Sequence, residues 1–111
     1  MKGTNLGEFE EIVLLTIASL TDEAYSVNIV DEIGKVTGRE TKLGVVHAVL
    51  NRLEDKGMIT SSLGEPTNER GGRRKRFFQI SHAGKVAIMN AKTQRDTLWN
   101  GIPKIIFQNL K

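Results

Sequence analysis

The sequence predicts a mainly α-helical fold with one small β-hairpin and a trailing helix, on three observations. Apolar residues recur at spacings of three and four through residues 6–56. The period then changes to two on either side of a stretch rich in Gly, Pro and Asn. After Ser81 a helical spacing returns, on a narrower stripe.

The first helix is expected to start near Leu6, because Asn5 followed three residues later by Glu8 has the form of a capping box. Leu6, Phe9, Val13, Ile17 and Leu20 form its inward stripe, Ile12 and Leu15 widen it, and Thr21, Asp22 and Glu23 end it. Ser26 is the expected cap of a second helix from Val27 to about Thr37, with Ile29, Val30, Ile33 and Val36 inward and Gly38 as the stop. A third helix runs from about Leu43 to Lys56. Leu43, Val46, Val49, Leu50 and Leu53 face its core side, and Gly57 terminates it in the left-handed conformation. Strands follow over Met58 to Leu63 and Lys75 to Ile80, with Phe78 and Ile80 on the core face. Ser81 caps a last helix starting at His82, and Gly101 and Pro103 interrupt it, so that Ile102 to Leu110 is a kinked continuation or a short separate helix.

Composition bounds the chemistry. The 111 residues suffice for one core, and 39% hydrophobic with 26% charged is the composition of a folded globular domain. The longest apolar run falls well short of the ~20 residues of a membrane span, and Glu8, Glu10 and Glu11 are the wrong flank for an export signal, so no membrane partner and a cytoplasmic setting are expected. With no cysteine there is no disulfide, thiolate zinc site or thiol nucleophile. His47 and His82 fall on different elements and outside any metal-ligand spacing, and no nucleophile elbow, phosphate loop or dinucleotide fingerprint occurs. No enzyme, metal or cofactor is expected.

Three helices, a hairpin and a trailing helix form the winged helix-turn-helix arrangement, in which the third helix enters the major groove and the hairpin touches the backbone beside it. Residues 1–81 are the expected DNA-binding domain and residues 82–111 the expected dimerisation helix. The net charge of +3 is concentrated. Arg70 to Arg76 carries five basic residues and no acidic one, so the rest of the chain sums to −2. The expected partner is double-stranded operator DNA. Lys42, Gly44, Val45, His47, Ala48, Asn51 and Arg52 are assigned to the groove, Val45 and Ala48 being suited to thymine methyls. Arg70, Arg73, Arg74 and Lys75 are assigned to phosphates around the Gly71-Gly72 turn. Arg74 and Arg76 have a competing assignment, pairing with Glu65 or Glu69. The alternative for the whole chain is a winged-helix module whose basic turn meets an acidic protein. In the last helix Ala87, Ala91, Gln94 and Leu98 make a stripe that one small core does not need, so a homodimer is expected through it.

Four strings carry a resemblance: LGEFEEIVLL at Leu6 to Leu15, AYSVNIVDEI at Ala24 to Ile33, LGVVHAVLNRLEDKGMI at Leu43 to Ile59, and LGEPTNERGGRRKRFFQISHAGK at Leu63 to Lys85. Together they resemble the PadR-like family of transcriptional regulators over about 80 residues. The resemblance implies a homodimeric repressor that binds operator DNA through the winged domain and dimerises through its C-terminal helix. Two departures stand out. Lys42 occupies a position where similar proteins often have a Ser or Thr cap, leaving Thr41 as a shifted cap, and His47 stands where many have Tyr. Trp99 resembles the position at which multidrug-sensing members stack planar aromatic ligands between subunits. A tryptophan packed in a dimer interface without ligand is the slightly favoured account of it, because tryptophan is common at interfaces.

Overall fold

The computed structural model describes residues 5–65 and 74–110. Its elements are α1 (Glu8–Leu20), a 3-10 turn (Thr21–Glu23), α2 (Ser26–Thr37), α3 (Leu43–Asp55), β1 (Ile59–Leu63), β2 (Arg76–Ile80), α4 (His82–Asn100) and a 3-10 turn (Lys104–Phe107). The predicted order holds throughout.

The core collects one stripe from each helix: Val13, Leu14 and Ile17 from α1, Ile29 and Ile33 from α2, and Val46, Val49, Leu50 and Leu53 from α3. Met58, Ile59 and Phe78 close it from the hairpin. Burying each large aliphatic side chain contributes roughly 1.5–3 kcal/mol, so this cluster holds the three helices together. Gly38 and Gly57 end α2 and the α3 segment at φ of 74° and 76°, a backbone that a Cβ would strain.

The strands pair antiparallel with Ile59 opposite Ile80, Ser61 opposite Phe78 and Leu63 opposite Arg76. A third edge joins them: Tyr25 bridges Phe77, and the Phe78 amide donates to the Ala24 carbonyl at 2.8 Å. The start of α2 is thereby fastened to the hairpin. Ser81 caps α4 as predicted, its Oγ accepting from the Gly84 amide at 3.1 Å while donating to the Gly57 carbonyl at 2.6 Å. Gly84 has to be small. A Cβ there would collide with the Met58 carbonyl and come within 2.8 Å of Ile80 Cγ1.

Several expectations are corrected. α1 starts at Glu8, not Leu6, because the Gly7 amide donates to Glu10 Oε1 at 2.9 Å and replaces the predicted Asn5–Glu8 box. Ser26 is the first residue of α2, not its cap; Tyr25 holds the cap position, and Asn28 donates instead to the Glu23 carbonyl. Val36 is 69% exposed and Leu43 is exposed as well, since each lies at the outer edge of its stripe. Lys42 holds the cap position of α3 and Thr41 does not cap it, its hydroxyl being buried without a hydrogen-bond partner. Ala87, predicted for a dimer interface, is 1% exposed within this chain's own core. A three-and-four spacing marks a helix face but not which body covers it.

Beyond Ala91 α4 leaves the core, and nearly every residue to its end is exposed. The radius of gyration is 16.6 Å, above the ~13 Å of a compact 100-residue domain, and the longest axis is 57 Å. The projecting helix accounts for the excess. After Gly101 the chain turns back as a short separate element, so that Phe107 lies 5.5 Å from the Trp99 ring at 32°.

Candidate nucleic-acid interface

α3 divides sharply into two faces. Val46, Val49, Leu50 and Leu53 are buried, whereas Gly44, Val45, His47, Ala48 and Asn51 are exposed together on the other side. The exposed set is small or planar. A Cβ at Gly44 would meet nothing within 4 Å, so the chain's own packing does not require glycine there. What the glycine does is keep the first turn of α3 clear. That turn has no side-chain cap, and Lys42 stands exposed beside it, so its free amides and its lysine favour an anion.

Arg52 belongs to the predicted set but is not wholly free. Its Nε donates to Glu10 Oε2 at 3.4 Å, and Lys56 Nζ donates to both oxygens of the same carboxylate at 3.0 and 3.1 Å. Glu10 is only 8% exposed. Burial opposes its ionisation, but the Gly7 amide, Lys56 and Arg52 outweigh that and hold its carboxyl below the usual carboxylate range. The cluster locks the C-terminal end of α3 onto the first turn of α1. At the same end of α1, Arg39 from just beyond α2 donates to Glu8 at 2.8 Å and lies over the Phe9 ring at 5.0 Å. That hydrogen bond lowers the Glu8 pKa and raises that of Arg39.

At the hairpin, Arg70 and Arg73 lie outside the described residues. Arg74 is exposed at the root of the wing with its Nε donating to the Gly64 carbonyl at 2.9 Å. Among the described residues it makes no ion pair with Glu65, and Glu69, the other predicted partner, lies outside them. Among the described residues Arg76 reaches a carboxylate only through a hydroxyl: its Nη1 donates to Ser61 Oγ at 3.0 Å, and that hydroxyl donates to Glu54 Oε2 at 2.8 Å. This relay ties both strands to the C-terminal end of α3. Lys75 is turned inward, its ammonium 4.3 Å from the Tyr25 ring centre, and Tyr25 meets Phe77 edge-on at 5.4 Å. The stack fixes the wing against the start of α2.

The functional residues that sequence reading missed are the ones that hold others in place: Glu10, Lys56, Glu54, Ser61 and Tyr25. Periodicity carries no signal for them, because each acts on a partner from another element. Of the α4 stripe, Ala91, Gln94 and Leu98 line a groove of 480 Å³ against Leu6, just before α1, and Glu11 of α1. Trp99 is 64% exposed, and Met89, Ile105, Ile106 and Leu110 are exposed with it. Among the described residues there is no group of acidic, histidine or cysteine side chains that could hold a metal ion. No described helix is long and apolar enough to cross a membrane.

The family model for the transcriptional regulator PadR-like family matches residues 14–90. Solved structures share the fold. A PadR-like transcriptional regulator from Bacillus cereus strain ATCC 14579 superposes with a TM-score of 0.72 at 15% identity, covering 91% of this chain and 92% of that one. A PadR family transcription regulator from Clostridium difficile R20291 gives 0.67 at 23% identity, over 83% and 92%. Bacillus subtilis PadR in complex with operator DNA gives 0.65 at 15% identity, over 76% of this chain and 46% of that one. A search of the curated proteins finds no match.

Proposed function

The chain belongs to the PadR-like family of transcriptional regulators, and from that premise we propose that it binds operator DNA sequence-specifically as a homodimer and acts as a repressor. One observation carries the reading: the exposed face of α3, from Lys42 through Asn51, has an uncapped positive end and small side chains that the domain's own core does not use. A helix of this kind can approach base edges. Val45 and Ala48 are suited to thymine methyls and Asn51 to an adenine edge, while Lys42 and Arg74 meet phosphates. The Bacillus subtilis neighbour, bound to operator DNA, supports this use of the fold.

The dimer is assigned to the last helix and its return. Ala91, Gln94 and Leu98 line a groove, and the apolar side chains of the return lie exposed, an area that a second copy would cover. Trp99 and Phe107 present adjoining aromatic faces in that region, the surface for a planar aromatic effector. In this reading residues 1–81 are the reading domain and residues 82–111 the dimerisation segment, whose first turns, through Ala87, pack on the reading domain's core.

A mobility shift on a mixed-sequence duplex at several salt concentrations tests the DNA reading. Affinity is expected to fall steeply with salt, by a slope of about 0.9 per phosphate neutralised. Binding to an acidic peptide with no retention of duplex at low salt would replace it with the protein-interaction reading.

A further inference from the structure

We propose that two neighbouring glutamates of α1, Glu10 and Glu11, set the spacing of the two reading helices in the dimer, one by holding α3 and the other by holding α4. The inference rests on the dimeric DNA-binding reading above and adds to it the residues that fix its geometry. Successive side chains on a helix diverge by about 100°, so adjacent glutamates address different neighbours. Glu10 turns toward α3, where it accepts from Lys56 and Arg52. Glu11 turns toward α4, where its Oε1 accepts from Arg95 Nη2 at 2.6 Å and Nε at 3.1 Å. Both carboxylates are largely withdrawn from water, their side chains 10% and 13% exposed.

The place of Arg95 on α4 matters. Ala87 is packed in the core and Ala91 is half-buried, but from Lys92 to Asn100 every residue is exposed. Among the described residues, the Arg95–Glu11 pair is the one side-chain hydrogen bond that ties α4 to α1. It sits where the helix leaves the domain, so it fixes the direction of everything beyond it. An apolar contact there would let α4 slide, whereas a guanidinium gripping one oxygen through two donors holds an angle. In a two-fold dimer built on α4, a tilt of that helix is repeated in both subunits and changes the separation of the two α3 helices. Half-sites lie about one DNA turn, ~34 Å, apart, which makes that separation functional. Arg95 itself is 60% exposed, so the pair adds little to stability. Its work is positional.

The chain contains no cysteine, so one introduced at the exposed Asp55, the last residue of α3, takes a single spin label per protomer. Distances between labels in the full-length Asp55→Cys dimer are expected to form one narrow distribution. Adding Glu11→Gln is expected to widen that distribution about twofold, because α4 then samples more than one orientation, with the thermal midpoint nearly unchanged. Exchanging the charges, Glu11→Arg with Arg95→Glu, is expected to restore the narrow distribution. An unchanged distribution in Glu11→Gln overturns the proposal while leaving the dimer intact. A lost thermal midpoint with an unchanged distribution makes the pair a stability element and overturns it too. Absence of any distance between protomers in the parent protein removes the dimer reading first, and this inference with it.

Discussion

The winged body and the projecting C-terminal segment treat apolar residues in opposite ways. In α1, α2 and α3 the centres of the inward stripes are buried, and the residues on the outer face of α3 from Gly44 to Asn51 are small or planar. From Met89 onward the large side chains stand in solvent, Leu98 at 75% exposure and Ile105, Ile106 and Leu110 with it. Contiguous exposed apolar surface of this kind marks an interaction site, and the proposed second copy would cover it. The body buries its own core, while the tail leaves the apolar surface that the proposed dimer would cover, and the boundary between them falls between Ala87, which is core, and Arg95, which pairs with Glu11 of α1.

The largest effect that tests this division is a core truncation. Leu50→Ala, at a position of α3 that is 1% exposed in the core cluster, is expected to cost about 2–5 kcal/mol, read as a lower denaturation midpoint by circular dichroism. The matched change in the tail, Leu98→Asp, is expected to leave that midpoint nearly unchanged. It should instead weaken dimerisation by about 2 kcal/mol or more, roughly thirtyfold, as sedimentation at a series of concentrations would record. A body that unfolds when Leu98 is changed would mean that the two regions share one core.

Glu10 supplies an intermediate effect with a pH signature. Its carboxyl is held below the usual range in the folded chain, so the cluster with Lys56 and Arg52 stabilises fully above the unfolded-state value and loses its contribution as pH falls through the folded one. Glu10→Gln is therefore expected to cost about 1–3 kcal/mol at neutral pH, with the gap to the parent closing in acid. Denaturant melts at several pH values give the difference directly. A gap that stays constant across the acid range would show that packing of the side chain, not its charge, holds α3 to α1.

What the sequence made legible follows the same division. The helical stripes and the switch to alternation identify the body, because burial on one face imposes a period that survives in the residue order. Phe78 was readable for that reason, and Ser81 because a serine just before a helical spacing has the form of a cap. Ala87 was not, since its spacing from Ala91 is the same whether the stripe meets a partner or the domain's own α1. Glu10 was hidden more deeply. As one of three acids in the first turn of α1 it has the pattern of a solvated helix start, and its partners Arg52 and Lys56 come from more than forty residues away. For the exposed face of α3, Lys42 to Asn51 could be assigned from pattern and resemblance, but the uncapped helix end needed the geometry at Thr41.

The smallest effect is the sharpest test of where the body ends. Trp99 and Phe107 are the one aromatic contact within the tail among the described residues, formed across the break at Gly101 and Pro103. Such a pair contributes about 0.5–1.5 kcal/mol beyond the area it buries, and neither ring touches the core cluster. Phe107→Ala should therefore change the environment of Trp99 without changing the stability of the domain. The two quantities separate cleanly because the chain has a single tryptophan: its emission reports the tail alone, while circular dichroism is dominated by the helices of the body. The expected result is a red shift of the emission, as the ring loses its neighbour and gains water, with a denaturation midpoint within about 0.5 kcal/mol of the parent. An emission that does not move would place Trp99 against something other than Phe107 in solution, the partner subunit foremost. A midpoint that falls as far as in Leu50→Ala would show that the return after Gly101 is packed on the body, and the line between the two regions would then have to be drawn beyond Phe107.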